Sequence, residues 1–153
     1  MTDNGAALWQ KTEVMHLAWK FKDGIPLTVQ ISDRIRQDIL RGEYRAGEAF
    51  PTVRQLAAEA SVNPNTVQKA LVILENEGLL VTLGTAGRTV TEDGEKITEA
   101  RQRIYSSFAN EVIKGARLLG LTEEELVEML MPDVQKMLTS FRFSDTPYQP
   151  EAV

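Results

Sequence analysis

Between Leu27 and Arg41 an isoleucine recurs every four residues, at Ile31, Ile35 and Ile39, with polar side chains between. That spacing draws one apolar stripe along a helix, and Gly42 stands where a left-handed cap would stop it. Glu43 to Phe50 reads as a loop around Gly47. Val53, Leu56, Ala57 and Ala60 repeat the helical stripe over a shorter span opened by Pro51. After the turn Ser61-Val62-Asn63, a third stripe at Val67, Ala70, Leu71 and Leu74 predicts a helix ending near Gly78. Asn63 suits its N-cap and Pro64 its first position, where a missing N–H costs nothing. Leu79 to Val90 carries β-branched residues around Gly84 and Gly87, the signature of a small hairpin.

A second unit follows. Ile97, Ile104, Phe108, Val112 and Leu119 are spaced as on one long amphipathic helix over residues 92–119, closed by Gly120. Thr122 with Glu125 makes a capping box for a last helix carrying Leu126, Leu130, Met131, Val134, Met137, Leu138 and Phe141, with Pro132 placed to kink or break it. Two helices cannot bury both of their faces on each other. The same pair from a second copy, forming a four-helix bundle about a twofold axis, would cover the remainder. Ile104, Phe108, Val112, Leu119, Leu126, Leu130, Val134 and Met137 are the expected dimer contacts. The fold class is thus mainly α with a small β wing: an N-terminal winged helix-turn-helix followed by a two-helix dimerisation unit. The expected divisions are an N-terminal arm (1–24), the winged domain (25–91), the helical dimerisation domain (92–141) and a flexible tail (142–153). Trp19 and Phe21 make the end of the arm apolar enough to dock.

Composition narrows the chemistry more than it identifies it. At 153 residues and 42% apolar content the chain is globular, with no cysteine and only His16 as histidine. Disulfides, thiol redox sensing, Cys-ligated zinc and a multi-His metal site in one chain are therefore excluded. No apolar run approaches the roughly 20 residues that cross a bilayer, and no signal-peptide pattern opens the chain, so a cytoplasmic protein without a membrane partner is expected. The net charge of −5 speaks against a polyanion partner until it is divided along the chain. Residues 1–25 hold 3 basic and 3 acidic side chains, 26–91 hold 7 and 7, and 92–153 hold 7 and 12. A neutral middle segment can still present a basic face.

The order helix, short helix, three-residue turn, helix, hairpin is that of a winged helix-turn-helix, whose second motif helix enters the DNA major groove. Its first turn must offer short donors and acceptors, and Asn63, Asn65, Thr66 and Gln68 supply them. Asn and Gln pair bidentately with adenine, Thr meets phosphate or a thymine methyl, and the helix N-terminus favours an anion. Lys69 reaches the backbone, and Arg54 is suited to guanine or phosphate. Asn63-Pro64-Asn65-Thr66 also reads as nothing more than a helix cap, and Thr52 equally as cap or phosphate donor.

"IPLTVQISDRIRQDILRGEYRAGEAFPTVRQLAAEASVNPNTVQKALVILENEGLL" resembles the DNA-binding domain of the GntR family of bacterial transcription regulators. The markers are Pro26 and Gln30, Gly42-Glu43 and Gly47, Pro51-Thr52-Val53-Arg54 with Leu56-Ala57, Asn65-Thr66-Val67, and Leu74-Glu75 with Glu77-Gly78-Leu79. The "WKFKDGIPL" lead-in and short C-terminal unit resemble the YtrA-type branch. The resemblance implies a homodimeric repressor of an inverted-repeat operator, commonly upstream of its own operon with ABC-transporter genes. It also implies DNA contacts on Arg54, on Asn63 to Gln68, and on a wing tip of Gly84, Thr85, Gly87 and Arg88. This sequence departs from the pattern in four places. Arg88 is the sole basic residue of the wing, Pro64 stands where many relatives have arginine, and Thr28 stands where tyrosine is typical. Val72 and Ile73 are apolar where polar residues are usual, so this face is expected to pack on the C-terminal helices or the arm.

No convergent acid, base or nucleophile suggests an enzyme. His16 reads as a surface or packing residue, and Glu123, Glu124, Glu125 and Glu128 as a solvated helix start favoured by the dipole. No cofactor is expected. A small-molecule effector of unidentified chemistry would suit a groove near Tyr105 and Phe108. The rival reading is a winged-helix adaptor that binds protein and not DNA. A DNA binder neutralising about six phosphates should lose on the order of a thousandfold in affinity from 50 to 200 mM salt, and an adaptor should not.

Overall fold

The computed structural model describes residues 18–140. His16, the rest of the arm before residue 18, Phe141 and the tail lie outside the described residues. These fall into two compact units that meet between Arg103 and Ile104.

In the first unit, α1 (Leu27–Arg41), α2 (Val53–Ala60) and α3 (Pro64–Asn76) are followed by the antiparallel pair β1 (Leu80–Thr82) and β2 (Arg88–Val90). α1 and α2 both pack on α3, and the buried stripes meet there: Ile31, Ile35 and Ile39 from α1, Leu56 and Ala57 from α2, and Val67, Ala70, Leu71 and Leu74 from α3. α1 ends as expected. Gly42 is left-handed, its N–H donating to Ile39 and that of Glu43 to Asp38, which satisfies two carbonyls the helix would leave open. α3 ends the same way, through Gly78 and Leu79. Asp38 is buried on α1 but sits between Arg34, at 3.0 Å, and Arg41. A buried carboxylate without such partners would be costly.

Two features exceed what periodicity could predict. Segment 46–50, expected as plain loop, pairs with the free side of β2 through Ala46 opposite Val90 and Ala49 opposite Thr89. The Gly47 N–H donates to the Val90 carbonyl at 3.0 Å and the Phe50 N–H to that of Arg88 at 2.8 Å. Gly47 has φ +76°, a left-handed conformation that favours glycine; a Cβ there would lie 2.5 Å from Glu92 Oε1, the end of a flexible side chain that can swing away, so the conformation and not the space demands glycine. The lead-in is stitched down by one side chain. Gln30 Oε1 accepts from the Lys22 N–H at 2.8 Å, and Gln30 Nε2 donates to the carbonyls of Lys22 and Ile25. Trp19 stacks on Phe21 with ring centroids 5.9 Å apart, Arg34 lies over the Trp19 ring, and both rings pack on the core. The docking expected of this segment is therefore present in its described part.

Helix α4 (Gly94–Leu118) begins in the first unit, where Ile97 and Ala100 join the winged core and Arg101 donates to the Leu40 carbonyl. It continues into the second unit and ends at Gly120, left-handed with φ +70°. The Thr122–Glu125 capping box is formed in both directions, at 2.8 and 3.2 Å. α5 (Glu123–Ser140) runs through Pro132 without breaking. Proline removes one helical hydrogen bond, and at this exposed position water can satisfy the carbonyl it leaves open. Among the described residues no helix is long and apolar enough to cross a membrane.

Candidate nucleic-acid interface

Thr52 sets the start of α2, which begins at Val53 and not at Pro51. Its Oγ1 accepts from the Gln55 N–H at 3.2 Å while Gln55 Oε1 accepts from the Thr52 N–H at 2.8 Å, a complete capping box. Of the two roles weighed for Thr52, the cap is thus occupied, and only the hydroxyl proton remains to donate outward. Two residues on, Arg54 is exposed, and among the described residues it makes no hydrogen bond or ion pair.

Ser61 turns the chain between α2 and α3 in the left-handed region, φ +53°, the sole non-glycine residue with positive φ among those described. Its N–H donates to Ala58 and that of Val62 to Ala57, closing α2. Asn63 then caps α3: its Oδ1 accepts from the Asn65 N–H at 2.8 Å. That acceptor is spent on the helix, so the Asn63 amide group has donors left for a ligand.

Along α3 the exposed positions Asn65, Gln68, Lys69 and Val72 recur at three and four residues, opposite the buried stripe. Thr66 is half-buried at its edge. Val72 was expected to pack. At 38% exposed it instead continues the outward stripe, while Ile73 is half-buried. Helical spacing from Gln68 contained the signal for this placement, but the apolar character of Val72 argued the other way.

The wing differs from the sequence picture in its charge. Its tip, a short 3-10 turn at Gly84–Ala86 followed by Gly87, is exposed, together with Val81 and Leu83, and carries no charged side chain. Arg88, expected beside that tip, reaches back to α3. Its Nε donates to Glu75 Oε1 at 2.6 Å and its Nη2 to Gln68 Oε1 at 3.4 Å, while Thr82 Oγ1 donates to the same Glu75 oxygen at 2.5 Å. Burial alone would raise the Glu75 carboxyl, but the hydrogen bonds from Thr82 and Arg88 and the guanidinium charge outweigh it and hold it below the ordinary carboxylate value. In the sequence Glu75 stands out only as one of the markers of the family resemblance. Nothing in the spacing of residues 75 and 88 could have paired them, because the pairing depends on how the hairpin lies on α3. A further pair, Arg36 to Glu77 at 2.6 Å, ties α1 to the end of α3 and raises the arginine's pKa, chiefly through that hydrogen bond, against burial.

In the second unit, Ile104, Leu126 and Val134 are half-buried, whereas Phe108, Val112, Leu119, Leu130 and Met137 are exposed. Tyr105, Leu118 and Met129 are exposed with them.

Residues 27–90 match the family of bacterial regulatory proteins called gntR. The chain is 31% identical over 109 residues to the uncharacterized HTH-type transcriptional regulator YhcF of Bacillus subtilis, spanning 71% of this chain and 90% of that one. It belongs to the gntR family. Similarity to the HTH-type transcriptional repressor YtrA of Bacillus subtilis, 30% over 110 residues and 85% of that chain, makes it a gntR regulator of the YtrA type. A GntR family transcriptional regulator from Listeria monocytogenes has the same fold, with a TM-score of 0.67 at 30% identity over 73% of this chain and 98% of that one. The winged helix-turn-helix is accordingly a gntR domain, and the protein is a transcription regulator and not an enzyme.

Proposed function

We propose that this gntR regulator is a cytoplasmic homodimer that represses transcription by binding an inverted repeat in double-stranded DNA. One observation carries the reading: Asn65, Gln68 and Lys69 form an exposed stripe on α3 and Arg54 is exposed on α2, the two helices by which a helix-turn-helix meets the major groove. Asn63 and Thr66 flank that stripe, and Thr52 keeps a hydroxyl proton for phosphate. The backbone of Gly84, Thr85 and Gly87 offers an uncharged wing tip that can approach the sugar-phosphate chain closely. The repressor relatives support the sign of regulation. The exposed apolar side chains of α4 and α5 support a second copy as their cover, which would set two recognition helices about 10 base pairs apart. A small-molecule effector would relieve repression by binding better to a dimer whose heads are out of register.

Selection from a random duplex pool, run with wild type and Arg54→Ala, tests the reading. An enriched inverted repeat is expected, with affinity reduced about 10- to 100-fold in the variant at unchanged thermal stability. The adaptor reading gains some support from the neutralised Arg88. Salt separates the two. With Arg54 and Lys69 as the exposed basic groups of each recognition face, a dimer neutralises about four phosphates, and affinity should fall about a hundredfold from 50 to 200 mM salt. A folded dimer that enriches nothing at low salt would favour the adaptor.

A further inference from the structure

We propose that Arg88 and Glu75 set the hydrogen-bonding character of Gln68, so that α3 offers amide donors to guanine and not a donor–acceptor pair to adenine. This specificity rests on the DNA-binding reading above. A glutamine pairs bidentately with adenine by donating to N7 and accepting from the N6 amino group, which requires its oxygen to face the base. Here Gln68 Oε1 accepts from Arg88 Nη2 at 3.4 Å. A guanidinium beside that oxygen repels the partly positive N6 amino group of adenine. It also leaves Gln68 Nε2, with both protons, as the group free to face the groove. Guanine presents two acceptors there, N7 and O6.

Arg88 can hold this position because it is itself fixed. Its Nε is bound to Glu75 Oε1 at 2.6 Å, and Thr82 Oγ1 braces the same oxygen from β1. Arg88 and Glu75 side chains are 19% and 23% exposed, so the pair is partly shielded from water, whereas Gln68 is exposed. Arg88 and Glu75 are positioning residues here, acting on the base through Gln68. The wing thereby contributes to sequence reading without entering the groove, at a point where its tip carries no charge.

The test is selection from a random duplex pool with wild type, Gln68→Ala, Arg88→Ala, Arg88→Lys and Glu75→Ala, each checked for a native melting transition. Gln68→Ala locates the base pair that Gln68 reads, as the position whose preference it loses. At that position wild type is expected to select guanine, and Arg88→Ala to shift the adenine-to-guanine ratio about tenfold toward adenine. Arg88→Lys keeps the charge but not the fork, so it should shift with Arg88→Ala, whereas a mere phosphate contact would leave its preference as in wild type. Glu75→Ala should shift in the same direction, and stands in should the Arg88 variants fail to fold. Adenine selected by wild type, no position lost in Gln68→Ala, or unchanged preference in the Arg88 and Glu75 variants would each overturn the inference while leaving the DNA-binding reading intact. A folded wild type that enriches no sequence would overturn that reading, and the inference with it.

Discussion

Arg88 is the wing's only basic side chain, and its bond to Glu75 changes what that charge can do. Paired with a carboxylate, it contributes less to attracting phosphate and more to holding β2 on α3. The pair has a testable pH signature. Because the folded carboxyl lies below its ordinary value of 4.5, its stabilisation is complete above that value and disappears as pH falls through the lower folded one. Urea denaturation of wild type and Glu75→Gln is therefore expected to show a gap at about pH 7 that closes toward about pH 3. A gap of equal size at both ends would remove the charge from the explanation. Asn65, Gln68, Lys69 and Arg54 were legible as outward-facing because helical spacing and cap position are local properties of the chain. The Glu75–Arg88 pair was not, since it joins residues from two elements whose contact is tertiary.

At the scale of elements, turns and caps decide where each helix lies. α1, α2, α3 and α4 all end with a left-handed residue, and three of these are glycine: Gly42, Gly78 and Gly120. α2 uses Ser61 instead, and a residue with a Cβ pays about 1 kcal/mol or more to adopt that conformation. Ser61→Gly is expected to raise stability by about 0.5–1 kcal/mol, after allowing for the greater freedom of glycine in the unfolded chain. Chemical denaturation measures it, and a destabilised variant would mean that the serine side chain holds something the strain estimate omits. The helix boundaries were readable for the same reason that this prediction is simple: capping is decided within a few residues. Strand-like pairing of segment 46–50 was unreadable, because Ala46-Gly47-Glu48-Ala49-Phe50 has no alternating pattern and acquires its role only from β2 beside it.

For the molecule as a whole, the open matter is what covers the second unit. Phe108 is 67% exposed, Leu119 76% and Met137 61%, values that one protomer leaves uncovered and a bundle partner would bury. Placing a charge in that surface tests it directly. Phe108→Glu is expected to shift the protein to monomer in sedimentation while the winged unit keeps its melting transition. Affinity for an intact inverted repeat should fall about a hundredfold as the second head is lost, with binding to a single half-site little changed. A wild type that sediments as a monomer would sink the dimer proposal, and a variant that remains dimeric would take Phe108 out of the interface.

Sequence alone determined the order of elements, most of their boundaries, the stripes that α1, α2 and α3 bury and the side chains that α3 turns outward, because periodicity and capping are encoded within a few residues. Tertiary structure alone decided three things: that segment 46–50 borders β2, that Gln30 and the Trp19–Phe21 stack secure the lead-in, and that Arg88 turns inward to Glu75 and Gln68. The first and third join groups far apart along the chain, whose attraction acts only after the core formed by α1, α2 and α3 has brought them within hydrogen-bonding distance; the second links near neighbours, but the rings find the apolar surface they pack on only once that core exists.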